Sequence, residues 1–250
     1  MRFRRALPPP IAGILAGLVL LCVPARARAD WVATGFLGHP WTRSSTVVLT
    51  LPDRQTAIEI AGVEYRGESL KSPQYYGYRM TWIPDTHRWM GLEAEVIHAK
   101  VFAQAGRVVH IRGTLRGAAV DASLPLSSIV QRLAMSHGLN FILANVALRR
   151  EFGGIDSQGT RRYVAVVRAG AGPTIAHAES TIDHVNRDQY ESGGLGAQTA
   201  GSVEVAVWRG LAVLGEYKFT WATPRIDVAG GQATVPARSQ HLVGGLAYRF

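Results

Sequence analysis

Apolar and polar residues alternate with a period of two along most of this chain, the spacing that sends successive side chains to opposite faces of an extended strand. In Leu211–Trp221, residues Leu211, Val213, Tyr217, Phe219 and Trp221 share one face, and Glu216 and Lys218 the other. The same alternation, rich in β-branched and aromatic residues and broken by turn signals, predicts eight strands. They are Trp31–Gly38, Tyr75–Ile83, Trp89–Phe102, Gly138–Arg149, Arg162–Thr174, Gly194–Trp208, Leu211–Trp221 and Gln240–Phe250. No segment carries the periodicity of a long amphipathic helix. The connections are long after the first, third, fifth and seventh strands and mostly short after the others. The chain reads as all-β: an up-and-down antiparallel transmembrane barrel of eight strands, with long loops at one end and short turns at the other.

Which face is outside follows from charge and aromatics. The polar face carries Arg79, Arg168, Lys218 and Arg249 against Glu93, Glu95, Glu204 and Glu216. An eight-stranded lumen is just wide enough for side chains to fill, so this balanced set reads as a plug and argues against a general pore. Trp82, Trp89, Tyr163, Trp208, Tyr248 and Phe250 fall at the short-turn ends of strands; Phe36, Tyr76, Phe102, Phe219 and Trp221 fall toward the long loops. Two aromatic belts flanking an apolar band suit a bilayer. A closed barrel also leaves no backbone group unpaired in hydrocarbon.

Residues 1–29 have the three parts of a secretory signal peptide: Arg2, Arg4 and Arg5, then the apolar stretch Ile11–Val23, then Ala27-Arg28-Ala29 as a small-x-small cleavage site ending at Ala29. The apolar stretch is short of the roughly 20 residues a spanning helix needs. The barrel domain is then 30–250. The signal holds five of the 27 basic residues and no acid, so the formal charge of +9 falls to 22 minus 18, or +4, in the mature chain. The basic whole-chain balance therefore gives no reason to expect a nucleic-acid partner. The only cysteine, Cys22, leaves with the signal.

Within the long loops, Thr46–Leu51 and Thr56–Tyr65 alternate around Pro52-Asp53 and read either as a hairpin above the membrane or as two further strands; Arg107–Leu115 alternates as well. Around Ser127 the chain reads as an ordinary loop or as a short helix capped by that serine.

Three histidines lie toward the long-loop ends of consecutive strands: His98, His137 and His177, the last followed by Glu179. Their parity puts them on the lipid-facing wall, His98 with Val96, His137 with Leu139 and Phe141, and His177 with Ala169 and Ala171. Imidazoles and a carboxylate suit a first-row transition metal. His98, His177 and Glu179 are the candidate metal ligands, His137 and Glu179 the candidate catalytic groups, and Lys100 a candidate contact to a lipid phosphate. A Ser-His-acid hydrolase built on Ser136 or Ser180 is a weaker alternative.

The final strand, ending Ala247-Tyr248-Arg249-Phe250, resembles the C-terminal signal that small OmpA-like outer-membrane barrels present to their insertion machinery. That resemblance implies residence in the bacterial outer membrane, among outer-membrane lipids. The segments "YYGYRMTW", "EVIHAKVFA", "SHGLNFILAN", "AGAGPTIAHAES" and "GEYKFTWATPRIDVAGG" resemble those of barrels identified as lipid A oxidases. Those use oxygen and a divalent metal to convert the proximal glucosamine of lipid A to aminogluconate. The expected function is a structural or surface-interaction role at the outer leaflet. The alternatives are a lipid A oxidase and, more weakly, a lipid A deacylase or a narrow channel.

Overall fold

A computed structural model describes residues 29–155 and 161–250; the expected signal peptide falls outside them, except that Ala29 begins the first strand. Between β1 (Ala29–Thr42) and β5 (Tyr76–Pro84) the chain forms β2 (Ser45–Leu51), β3 (Thr56–Val63) and β4 (Tyr65–Arg66). After β6 (Met90–Ala103) come β7 (Val108–Leu115) and β8 (Ala118–Pro125), then the long strands β9 (Val130–Ile155), β10 (Arg161–Ile182) and β11 (Val185–Trp208). The chain finishes with β12 (Leu211–Ala222), β13 (Arg225–Val228), β14 (Gly231–Thr234) and β15 (Ala237–Arg249).

Eight of these strands close into an antiparallel barrel in the order β1, β5, β6, β9, β10, β11, β12, β15, with β15 pairing back onto β1. They are the eight expected from periodicity. Following the paired residues once round, from Arg238 through Trp221, Ala197, Ala171, Ala144, Ala94, Met80 and Ala33, returns to β15 at Tyr248, a stagger of ten residues. Such a stagger tilts the strands and shapes a narrow closed barrel.

Alternation now has a direction. Leu92, Val146, Leu148, Val167, Val203, Leu242 and Leu246 are exposed on the outside wall, as a hydrocarbon surround requires. Inside, Arg79 meets Glu95 at 3.0 Å and Glu216 at 2.9 Å, Arg168 meets Glu93 at 2.9 Å and also Glu216, and Lys218 joins Glu95 and Glu216. Three cations and three carboxylates form one buried lattice, with Gln198 and Asn145 donating into it. The expected eight-charge set is corrected in one part: Arg249 bonds Glu151 at 3.2 Å, away from the lattice, and shares a crevice with Glu204.

Phe36 is likewise corrected. It is not a belt residue but points inward with only 4% exposure, its ring 5.3 Å from the Arg79 guanidinium and 4.5 Å from the Lys218 ammonium. The ring closes the lattice from above. Gly77 makes room for it, since a Cβ there would lie 2.1 Å from the ring. Phe102 is buried too and belongs to no belt.

The long-loop segments form a second sheet, ordered β13, β14, β2, β3, β7, β8. Its apolar face, including Val47, Leu49, Ile58, Ile60 and Ile111, packs in one cluster with Ile97, Leu139, Phe141, Ala176 and Val243 from the upper barrel. The hairpin reading of Thr46–Leu51 and Thr56–Tyr65 is the one realised, and Arg107–Leu115 supplies β7. Around Ser127 there is a single 3-10 turn, Leu126–Ser128, rather than a helix, because β9 starts at once at Val130.

One connection differs from expectation. No long loop follows the fifth barrel strand: β10 and β11 run on and join through Asp183-His184, both at positive φ (48° and 66°). That geometry matches the two-residue turn favoured by twisted hairpins. Arg54, 2.9 Å from Asp183, ties this tip to the second sheet.

The lattice generates a stability prediction. Arg168→Met strands Glu93 and Glu216 without one of their partners, and should cost about 3–5 kcal/mol in urea unfolding of the barrel in lipid vesicles. Arg225→Gln, at an exposed position of β13, should change it little.

Candidate functional site

On β10 the outward apolar positions end at Ile175, and the next two outward positions are His177 and Glu179. On β9 the last exposed apolar residue is Ile142, followed toward the same rim by Asn140 and His137. The site thus begins where the apolar band stops.

Here the strands leave regular pairing. Register shifts fall between Ala176 and Ala178 of β10 and between Ala99 and Val101 of β6, and Gly138 sits at φ +98°. This corrects the parity reading of His137: Leu139 and Phe141 point inward, and the irregularity at Gly138 turns His137 outward past them. Outward placement holds, although simple alternation would not produce it. Gly138 is also a point of close approach, since a Cβ would lie 2.5 Å from Nδ1 of His98 and 2.9 Å from Oδ1 of Asn140.

The irregularity brings donors together. His137, His177 and Glu179 each offer one ligand atom, all within 4.8 Å of one another. Nδ1 of His137 and Nδ1 of His177 are 3.2 Å apart, and the Ser136 hydroxyl lies 3.2 Å from each of them while donating to Oε1 of Glu179. His177 is buried, packed edge-on against Tyr190, and its Nε2 lies 2.9 Å from Oδ1 of Asp188. With that nitrogen donating its proton to Asp188, Nδ1 presents a bare lone pair to the cluster. A carboxylate behind an imidazole is the usual support of a metal-binding histidine.

Glu179 is held by Arg132, whose Nε donates to Oε2 at 2.6 Å. Partial burial pushes the Glu179 carboxyl up, but the hydrogen bonds from Ser136 and Arg132 and the Arg132 charge outweigh it, leaving the group below the usual carboxylate range. It is ionised at neutral pH. Its pairing contributes stability above the ordinary glutamate range, and that contribution is lost only as pH falls through the lowered value.

His98 stands apart from this donor group. Its Nδ1 is 2.7 Å from Oδ1 of Asn140, and its ring stacks on Tyr76 at 4.8 Å. Asn140 in turn donates weakly, at 3.3–3.5 Å, to the carbonyls of Ile175, Gly138 and His137. Through Nδ1, His98 fixes the amide joining β9 to β10, and its Nε2 is buried without a hydrogen-bond partner. Lys100 is buried near the cluster, its Nζ donating to the Lys71 and Ser72 carbonyls at 3.2 Å each. Ser180 points to the inner face, buried and with no hydrogen-bond partner, which leaves Ser136 as the serine at the site.

The residue that sequence reading missed is Asp188. The signal was present: with β10 and β11 joined by a two-residue turn, pairing sets Glu179 opposite Asp188 and His177 opposite Tyr190. Ending the fifth strand at Thr174 and starting the sixth at Gly194 hid it.

No family model and no curated protein matches the sequence. Among solved structures, the chain is similar to neisserial surface protein A (9% identity, 90% of this chain and 98% of that one, TM-score 0.41). It is also similar to the outer-membrane protease OmpT of Escherichia coli (9%, 91% and 99%, TM-score 0.46) and to outer-membrane protein OprG of Pseudomonas aeruginosa (11%, 90% and 96%, TM-score 0.40). At these scores the likeness adds nothing to what the strand register and the exposed apolar wall establish, namely a closed eight-stranded antiparallel barrel with an apolar exterior.

If the donors bind metal, Asp188→Asn should lower Zn²⁺ affinity by roughly 10–100-fold in calorimetric titration of the folded barrel in micelles. Glu151→Gln, at the opposite mouth, should leave it unchanged. Gly138→Ala, strained and crowded at once, should lose the binding while its circular dichroism stays that of a β-barrel.

Proposed function

We propose that this chain is an outer-membrane enzyme that oxidises the headgroup sugar of an outer-leaflet glycolipid of the lipid A class, using a divalent first-row metal held by His137, His177 and Glu179. One observation carries the reading. Two imidazole nitrogens and a carboxylate converge on the outside wall at the edge of the apolar band, with Asp188 behind His177. A site facing a lumen would serve a solute; one on the external rim serves a molecule that lies in the leaflet. The donor set matches the two-histidine, one-carboxylate arrangement that suits non-haem iron.

The metal would supply oxygen activation. His137, His177 and Glu179 would hold it, with Asp188 fixing the tautomer of His177. At the anomeric carbon of a free reducing-end glucosamine, the C–H bond breaks and two electrons and two protons pass to dioxygen, giving hydrogen peroxide and a lactone. Water then opens the lactone to the acid. The lipid gains one oxygen atom in all.

A purely structural or surface-interaction role supplies no reason to gather these lone pairs at one point. The buried ion lattice likewise disfavours a channel. A second reading has its own support: Ser136, His177 and Asp188 form a serine–imidazole–carboxylate chain, the arrangement of an acyl hydrolase. Against it, the Ser136 hydroxyl is directed to Glu179.

The test is mass spectrometry of lipid A from aerobic cells with and without this chain, in a host whose lipid A has a free reducing end. The oxidase predicts a gain of one oxygen that disappears with His177→Ala and with a chelator. Loss of an acyl chain abolished by Ser136→Ala would establish the hydrolase. An unchanged spectrum from folded protein would rule out both.

A further inference from the structure

Beside the donor cluster lies an open cleft of about 430 Å³, lined by the cations Arg66, Lys71, Lys100 and Arg132 and the carboxylates Glu68 and Glu179, with Ser136 and His137 at its inner end. Four fixed positive charges face two negative ones. Lys71 meets Glu68 at 3.0 Å, Arg66 meets it at 3.5 Å, and Arg132 is bonded to Glu179. Lys100 has no such partner among the described residues: it is 4% exposed and spends its ammonium on two carbonyl oxygens. A buried charge without a counter-ion is costly.

A second observation points the same way. Three of these cations crowd one ring, with Arg66 and Lys100 each 6.0 Å and Arg132 5.8 Å from the centre of Phe102. The negative face of the ring attracts each cation, but the three repel one another. An anion in the cleft would relieve that repulsion and give Lys100 its missing partner.

We propose that this cleft is an oxyanion subsite for a phosphate or carboxylate carried by the headgroup of a membrane amphiphile, held by Lys100, Arg66, Lys71 and Arg132. Its bearing on chemistry rests on the oxidase reading above. The anomeric carbon to be oxidised must be unsubstituted, so the anion bound here sits elsewhere on the headgroup and delivers the free sugar end to His137, His177 and Glu179. The cleft adjoins those residues on its Ser136 side, and the apolar band below it accommodates acyl chains.

The subsite is testable without metal or turnover. The full barrel, in maltoside micelles with a chelator present, is titrated with dodecyl phosphate and separately with inorganic phosphate, followed by phosphorus NMR. Saturable binding of dodecyl phosphate is expected, weakened roughly tenfold or more by Lys100→Met and several-fold by Arg66→Gln, and weakened by added salt. Arg66 is exposed, so that variant tests the site even if Lys100→Met fails to fold. Equal binding by Arg66→Gln and the parent would overturn the subsite. Inorganic phosphate binding as tightly as the amphiphile would show a free-phosphate site and overturn the headgroup assignment. Retained dodecyl phosphate binding alongside an unchanged lipid A spectrum would support the subsite and remove the oxidase.

Discussion

Closure of the eight-stranded ladder is the constraint on which everything else in this protein depends. In hydrocarbon every backbone donor and acceptor must be paired within the chain, and the stagger of ten residues from Arg238 to Tyr248 is what lets β15 return to β1. A ring this narrow has an interior only one side chain deep. That interior is occupied by Arg79, Arg168, Lys218 and their three carboxylates, roofed by Phe36. The donor side chains of His137, His177 and Glu179 are left to the outer wall and rim.

The rim is where regular pairing can be broken at acceptable cost, because water and the second sheet can satisfy what the ladder gives up. Gly138 at positive φ and the shifts near His177 and Lys100 re-aim side chains that strict alternation would send inward. β9, β10 and β11 run far beyond the 9–11 residues a tilted strand needs to cross a bilayer, and that extension carries Asp188 and Tyr190 to His177. The same strands support the second sheet, whose apolar face would otherwise be exposed. The donor cluster and the second sheet therefore share one foundation, and the Arg54–Asp183 pair ties the hairpin tip to that sheet.

The barrel was legible because period-two alternation is a local signal that needs no knowledge of neighbours. All eight barrel strands and the hairpin of β2 and β3 could be read from it. The site was legible only in part. His137, His177 and Glu179 stood out by residue type and by their position at strand ends. Parity, however, assigned His137 its face for a reason the backbone does not follow, because a single left-handed glycine resets the count. His98 looked equivalent to the other two histidines in sequence, yet it is turned to Asn140. Asp188 was hidden because the fifth strand was read as ending at Thr174 and the sixth as starting at Gly194, whereas the ladder passes through both with one irregularity. Phe36 was misplaced because an aromatic near a strand end looks the same whether it meets lipid or caps buried cations.

The proposed metal centre of His137, His177 and Glu179 is tested most directly by X-ray absorption on the iron-loaded barrel. One metal per chain is expected, with imidazole scattering from two histidines that falls to one in His177→Ala while His98→Ala keeps both. A barrel that folds but retains no stoichiometric metal, or whose bound metal shows no imidazole neighbour, would contradict it.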